Sequence, residues 1–226
     1  MPSLAAAGQH APLFAAVAGR YAGGSRFGQG YVRSKLRRDP ATSAILELAA
    51  RRGGFGQVAD LGCGRGQLSL ALLLAGLAEA VSGLDGDAAK LAEARAAAAG
   101  LPARYAAADL TEAPVAACDT VLLVDVLYQL PAVAQRDLLN RAAAAARRRV
   151  VIRAFDPQAG WRSRVGMFTE LANRALRGDW QAAIEPLPVA ALAAPLEAAG
   201  FRATVSPCWA GTPLPNVLIL AERDAA

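Results

Sequence analysis

Histidine is nearly missing from this chain: its 226 residues hold one, His10. A histidine base is therefore not expected, nor a metal site built on imidazoles. Cysteine is scarce too. Cys63, Cys118 and Cys208 are odd in number and far apart, so they give neither a disulfide framework nor a zinc ligand set. Such usage fits a reducing cytoplasm. Lysine is rare and arginine carries most of the positive charge, the habit of a GC-rich genome. No basic side chain precedes Arg20, so a secretory leader is not expected. No run is long enough to span a bilayer. The greasiest, Leu68 to Val81, is broken by Ser69, Gly76 and Glu79 and reads as a buried helix. Internal repeats are absent as well.

What remains is a chain 54% hydrophobic and 19% charged, able to bury a sizeable core. Its length suits one α/β domain with appended elements. The net charge of +5 permits nucleic acid or an acidic carrier protein as partner. The basic residues read as scattered, however, and without interleaved aromatics, which favours codon habit over a binding patch. Two tight clusters stand out, Arg33 to Arg38 and Arg147-Arg148-Arg149. The second is expected to end a helix, where positive charge suits the dipole.

Residues 1–30 are rich in alanine and glycine, with a loose helix around Ala11–Ala18. Tyr31 to Arg52 turns helical, and Asp39-Pro40 is a credible helix start. Strands are expected at Gln57–Leu61, Ala80–Asp85, Ala103–Ala107, Thr120–Val126, Arg149–Ala154, Phe201–Ser206 and Asn216–Glu222. Between them lie helices Gln67–Ala75, Ala88–Ala99, Pro131–Arg147 and Pro188–Ala199, and a longer insert at 156–185. The organisation is a helical lead, 1–52, before an α/β domain, 53–226. Alternating strands and helices imply a mostly parallel sheet. The last two strands have no helix between them, so one of them runs antiparallel.

The strongest motif is Val58-Ala59-Asp60-Leu61-Gly62-Cys63-Gly64-Arg65-Gly66. A strand enters a tight glycine turn, and the turn opens a helix. Glycines let a ligand approach the backbone. Asp60 can fix the turn or reach a cationic amino group. A dinucleotide fingerprint would need G-x-G-x-x-G, and Gln67 stands where its third glycine belongs. Asp85, with Gly86 behind it, ends the second strand, and its carboxylate can accept from two ribose hydroxyls. Asp87 competes for that role but suits a helix cap better. Asp109-Leu110 follows the third strand, where the aspartate can accept from an adenine amino group and the leucine can pack on its ring. Asp125 and Tyr128 follow the most apolar strand, on the carboxyl edge where open α/β sheets bind ligands. Tyr128 can face a substrate pocket or simply pack on the core.

These four motifs, in order over residues 55–155, resemble the class I methyltransferases. The resemblance implies the Rossmann-like α/β fold of that class, three layers about a seven-stranded, mostly parallel sheet whose last strand is antiparallel. It implies S-adenosylmethionine as cofactor. Its site would comprise Asp60, Gly62, Cys63, Gly64 and Gly66 about the methionine part, Asp85 and Gly86 at ribose, Asp109 and Leu110 at adenine, and Asp125 near the methionine. A narrower likeness rests on Lys35 to Pro40, Val124 to Tyr128, Gly160-Trp161-Arg162 and Thr212 to Leu218. Those stretches are similar to small bacterial methyltransferases found beside fatty-acid-synthase-like enzymes that make aryl polyene lipids. Many of these have His where Tyr128 stands.

Methyl transfer from a sulfonium is an in-line displacement in which the protein mainly supplies proximity and orientation. Tyr128 is the candidate catalytic contact, with Asp125 and Asp156 as other available bases. Trp161 and Arg162, together with Arg164 and Phe168, can shape the substrate pocket, or the two aromatics can pack the insert onto the sheet. Arg33 and Lys35 can hold a carboxylate or lie on a solvated helix face. Two carboxylates, Asp125 and Asp156, without a third ligand do not make a metal site. The favoured reading is a cytoplasmic methyltransferase acting on a small-molecule or carrier-protein-bound acceptor. An RNA or protein methyltransferase is the alternative, although no N/D-P-P-Y/F motif is present, and a non-catalytic cofactor-binding protein is the third.

Overall fold

The structure is a computed structural model and describes residues 10–177 and 184–224. Among the described residues three helices lead, α1 Ala11–Gly19, α2 Arg26–Arg38 and α3 Pro40–Arg51. The sheet follows as β1 Gln57–Leu61, α4 Gln67–Leu74, β2 Ala80–Asp85, α5 Ala88–Ala97, β3 Ala103–Ala107 and β4 Cys118–Val124. A single 3-10 turn at Leu127–Gln129 leads to α6 Ala132–Ala145 and β5 Ala146–Phe155. The chain ends with α7 Trp161–Arg177, α8 Val189–Ala198, β6 Arg202–Pro207 and β7 Asn216–Glu222.

The seven strands lie in the order β3-β2-β1-β4-β5-β7-β6. β1 to β5 pair in parallel; β7 runs antiparallel to both β5 and β6. This is the expected sheet. Its central strands are apolar on both faces because both are covered. Leu122 of β4 joins the core beneath α1 to α5, whereas Val121 and Leu123 join the core beneath α6 and α8. Phe14, Val17, Val32, Leu36 and Ile45 from the leading helices share the first of these cores with Leu70 and Val81.

Local chemistry explains the helix starts. Asp39 caps α3, its Oδ1 accepting from the Ala41 N–H at 3.0 Å. Asp87 caps α5 through the N–H groups of Ala89 and Lys90, at 3.0 and 3.1 Å. One expectation fails. The Arg147-Arg148-Arg149 run does not end a helix, because α6 stops at Ala145 and the run lies within β5. Strand hydrogen bonds to β4 win there. Arg149 is buried, donates to the Gly54 carbonyl at 2.6 Å and lies over the Phe55 ring.

No helix joins β3 to β4. Residues 108–117 form a loop, pinned by Arg141 of α6 through the carbonyls of Leu110, Thr111 and Ala113. The sheet face beside that loop carries a hollow of about 630 Å³ with Arg104 as its one charged lining residue. The insert expected at 156–185 contains α7; its residues 178–183 lie outside the described residues.

Candidate active site

The turn after β1 is held in an unusual backbone. Gly62, Gly64 and Gly66 all have positive φ, at 78°, 55° and 72°, where a side chain would be strained. A Cβ on Gly62 would stand 2.5 Å from the Val126 side chain, so the turn presses on the segment after β4. At Gly64 a Cβ would meet nothing within 4 Å. That side of the turn is therefore open to a ligand. Cys63 is buried within the turn, and burial pushes its thiol well above the usual thiol range.

Asp85 reaches this turn from the end of β2. Its Oδ2 accepts from the Gly64 N–H at 2.8 Å and its Oδ1 from the Asp87 N–H at 2.9 Å. Each oxygen keeps acceptor capacity. Asp60, at 3% exposure, accepts from the Ser69 hydroxyl. Burial pushes its carboxyl up to about 6; the Ser69 bond opposes the rise and the Asp85 charge adds to it. Asp109 is exposed, and the Thr111 hydroxyl and N–H hold its carboxyl below the usual range. Leu110 is buried in the core beneath α6 and α8, and Gly86 is exposed at the tip of β2.

A cavity of about 340 Å³ opens on the same sheet edge, between α2, α7 and the ends of β4 and β5. Tyr31, Lys35, Asp125, Tyr128, Phe155 and Asn216 are among its lining. Tyr128 and Phe155 stand with ring centroids 6.4 Å apart. The floor is a charged quartet that the sequence motifs did not assemble. The Lys35 Nζ lies 2.9 Å from Asp125 Oδ2 and 2.5 Å from Asp39 Oδ2. Arg153 pairs with the same two carboxylates, at 3.2 Å to Asp39 Oδ1. Burial alone would raise the Asp125 carboxyl; Arg153 and then Lys35 overcome it and hold it below the usual range. Asp125 also has φ of 59°, a left-handed conformation rare outside glycine and its small polar substitutes. Arg153 could have been singled out, since an arginine inside Val150-Val151-Ile152-Arg153-Ala154-Phe155 must find a carboxylate once buried.

The expected substrate residues stand apart from this lining. Trp161 is 61% exposed, and Arg162 lies between the Trp161 and Trp209 rings while donating to the Thr212 carbonyl at 2.7 Å. Phe168 is 76% exposed, so neither aromatic packs α7 onto the sheet. Asp156 caps its own turn through the Gln158 N–H at 2.9 Å.

A second feature joins the glycine motif to residues outside it. Arg65, inside the glycine turn, pairs with Glu93 of α5 at 2.7 Å and lies over the rings of Phe27 and Tyr31 at 5.5 and 5.0 Å. The Tyr21 hydroxyl donates to its carbonyl at 2.5 Å. Ser25, which caps α2, donates to Glu93 at 2.9 Å. The leading helices are thus latched onto the turn.

Residues 58–149 match the family model described as a methyltransferase domain. The chain carries a methyltransferase domain. Its fold is that of class I, and the methyl donor of that class is S-adenosylmethionine. A search of curated protein sequences gives no match. Among solved structures, the methyltransferase resembles magnesium protoporphyrin IX methyltransferase from Synechocystis PCC 6803 with bound SAH. That likeness has a TM-score of 0.64 at 21% identity and covers 95% of this chain and 96% of the other. An S-adenosylmethionine-dependent methyltransferase from Clostridium acetobutylicum gives a TM-score of 0.64 at 12% identity over 87% of this chain and 98% of that one. An O-methyltransferase family protein from Burkholderia thailandensis gives 0.63 at 17% identity, over 82% and 57%. No described helix is long and apolar enough to cross a membrane.

Proposed function

We propose that this methyltransferase moves a methyl group from S-adenosylmethionine to a small, largely apolar acceptor, free or carried on a protein arm, seated in the cavity beneath α2 and α7. One observation carries this reading: the open glycine turn and the aromatic cavity lie on a single sheet edge, where Gly62 presses on Val126 and Arg65 of the turn lies over the ring of Tyr31, which lines the cavity. The cavity volume, about 340 Å³, is at the lower end of small-molecule sites. Tyr128 and Phe155 suit an aromatic group. An acceptor of the kind handled beside fatty-acid-synthase-like enzymes fits that lining.

The residues present fit the cofactor. The open side of Gly64 leaves room for it, and the Asp85 carboxylate beside that opening keeps lone pairs for ribose hydroxyls. When bound, the cofactor supplies an electrophilic methyl group on a sulfonium. Asp60 and the turn would hold its methionine part, with Gly86 beside the ribose. Asp109 would sit at adenine, while Leu110 contributes from below the sheet. Asp125 is held anionic by Lys35 and Arg153 and so anchors the cavity floor at the methionine end. Tyr128 contacts the acceptor and orients it for in-line attack. The lead serves the same site through Tyr31, Lys35 and Asp39.

Calorimetry with S-adenosylmethionine tests this reading. The wild-type chain should bind it and not NADH, and Asp85→Ala should weaken binding about tenfold or more through the loss of a bidentate acceptor. Binding of NADH, or of neither, would overturn the assignment of the turn.

A further inference from the structure

Helix α7 is amphipathic in the reverse sense. Its side toward the sheet carries Ser163 and Gly166, both buried; a Cβ on Gly166 would stand 2.6 Å from the Phe155 ring and 2.7 Å from Pro215. Its outward side carries Trp161, Val165, Phe168 and Leu171, exposed by 61, 36, 76 and 55%. The spacing of four, three and three residues draws them into one stripe, about 15 Å long at the helical rise. Such a stripe on a water-facing helix is unexpected unless something apolar meets it.

The charge around it is equally uneven. α2, the facing wall of the cavity, holds Arg26, Arg33, Lys35, Arg37 and Arg38 and no acid. Among its described side chains α7 holds Arg162 and Arg164 and no acid. The whole chain is only +5, so the positive excess is concentrated in these two helices and is not scattered. Lys35 is neutralised in the half-buried quartet. Arg33, Arg37, Arg38 and Arg164 are exposed, and no ion pair among the described residues engages them. Phe27, one turn before the cavity residue Tyr31, is 70% exposed.

We infer that the α2 and α7 rim of the cavity docks on an anionic lipid surface, with the α7 stripe in the interface and the arginines on its headgroups. A helix with aromatic and aliphatic side chains on one face and arginines beside them is the form that lies in a bilayer interface. The stripe is a ridge and not a groove. A deformable lipid surface accepts a ridge as it is, whereas a protein partner would need a matching trough. The cavity opens between the two helices, so an apolar acceptor would enter it directly from the lipid.

Flotation of the full chain with vesicles tests this. It should float with phosphatidylglycerol-containing vesicles at low salt and much less with pure phosphatidylcholine. Phe168→Ser with Leu171→Ser should weaken vesicle binding about tenfold or more, and so should Arg33→Glu with Arg37→Glu. Neither pair lines the cavity or the turn, so S-adenosylmethionine affinity should be unchanged, which shows that the variants fold. Failure of the wild-type chain to float with anionic vesicles overturns the proposal. So does flotation that the Phe168 and Leu171 substitutions leave intact, because charge alone would then be responsible. A wild-type dimer dissociated by the same substitutions would give the stripe to a second copy, and capture by an acidic carrier protein without vesicle binding would give the rim to a protein. Either result overturns the lipid assignment.

Discussion

Asp60 shows how much one buried carboxylate decides. Folding removes it from water, leaves it one hydroxyl partner and pushes its carboxyl up from 3.8 to about 6. Between those values the folded chain keeps a proton that the unfolded chain has released. Stability from this group is therefore fully present at low pH and declines as pH rises through about 6. A rise of that size corresponds to about 3 kcal/mol. Asp60→Asn should remove this slope: denaturant unfolding should show the variant gaining on the wild type by up to that amount between about pH 4 and pH 7.5. A constant difference between the two would mean that Asp60 is ionised throughout. Asp125 moves the other way, since Arg153 and Lys35 hold it anionic and its contribution is lost as pH falls. The sequence placed both aspartates at strand ends, because acid after an apolar run is a local pattern. It did not pair Asp125 with Arg153 or Lys35, because those contacts join residues 28 and 90 positions apart through the fold.

At the level of elements, the strands were legible and their ends less so. β1, β2, β3 and β7 occupy their expected spans because glycine, proline and charged residues bound them locally. β5 begins at Ala146 because its ladder with β4 starts there, at the Cys118 pairing, and overrides the helical preference of the preceding alanines. The inverted face of α7 was not legible, since periodicity gives the width of an apolar stripe and not the direction it faces. The latch of α1 and α2 on the glycine turn was hidden as well, because it is made by Tyr21, Phe27 and Tyr31 closing over Arg65. It yields a test at this scale. Arg65→Ala removes the guanidinium that joins α2 and α5 to the turn and leaves Glu93 with only Ser25. Hydrogen exchange should rise in α2, and S-adenosylmethionine binding should weaken about fivefold, while acceptor turnover at saturating cofactor stays near the wild-type rate. A fall in saturated turnover with unchanged cofactor affinity would give Arg65 a different role.

For the molecule as a whole, the question is whether the leading helices are an appendage or part of the core. The sequence divides naturally at Gly53-Gly54, where two glycines separate a helical lead from the first strand. The packing opposes a break there. Phe14, Val17, Tyr21, Val32 and Leu36 are at most 5% exposed and lie in one apolar cluster with Leu70, Leu72 and Val81. Removing the lead would uncover that cluster and take away Lys35 and Asp39, half of the quartet beneath the cavity. Burying five such side chains contributes on the order of 10 kcal/mol, comparable with the whole stability of an ordinary domain. The lead and the sheet should therefore unfold together. Scanning calorimetry should give one transition whose calorimetric and van't Hoff enthalpies agree, and α2 and β4 amides should exchange with the same denaturant dependence. Saturating S-adenosylmethionine should move that single transition upward without splitting it. Two transitions, or a lead that exchanges independently of the sheet, would make residues 1–52 a separate unit and would leave the floor of the cavity to form only when that unit docks.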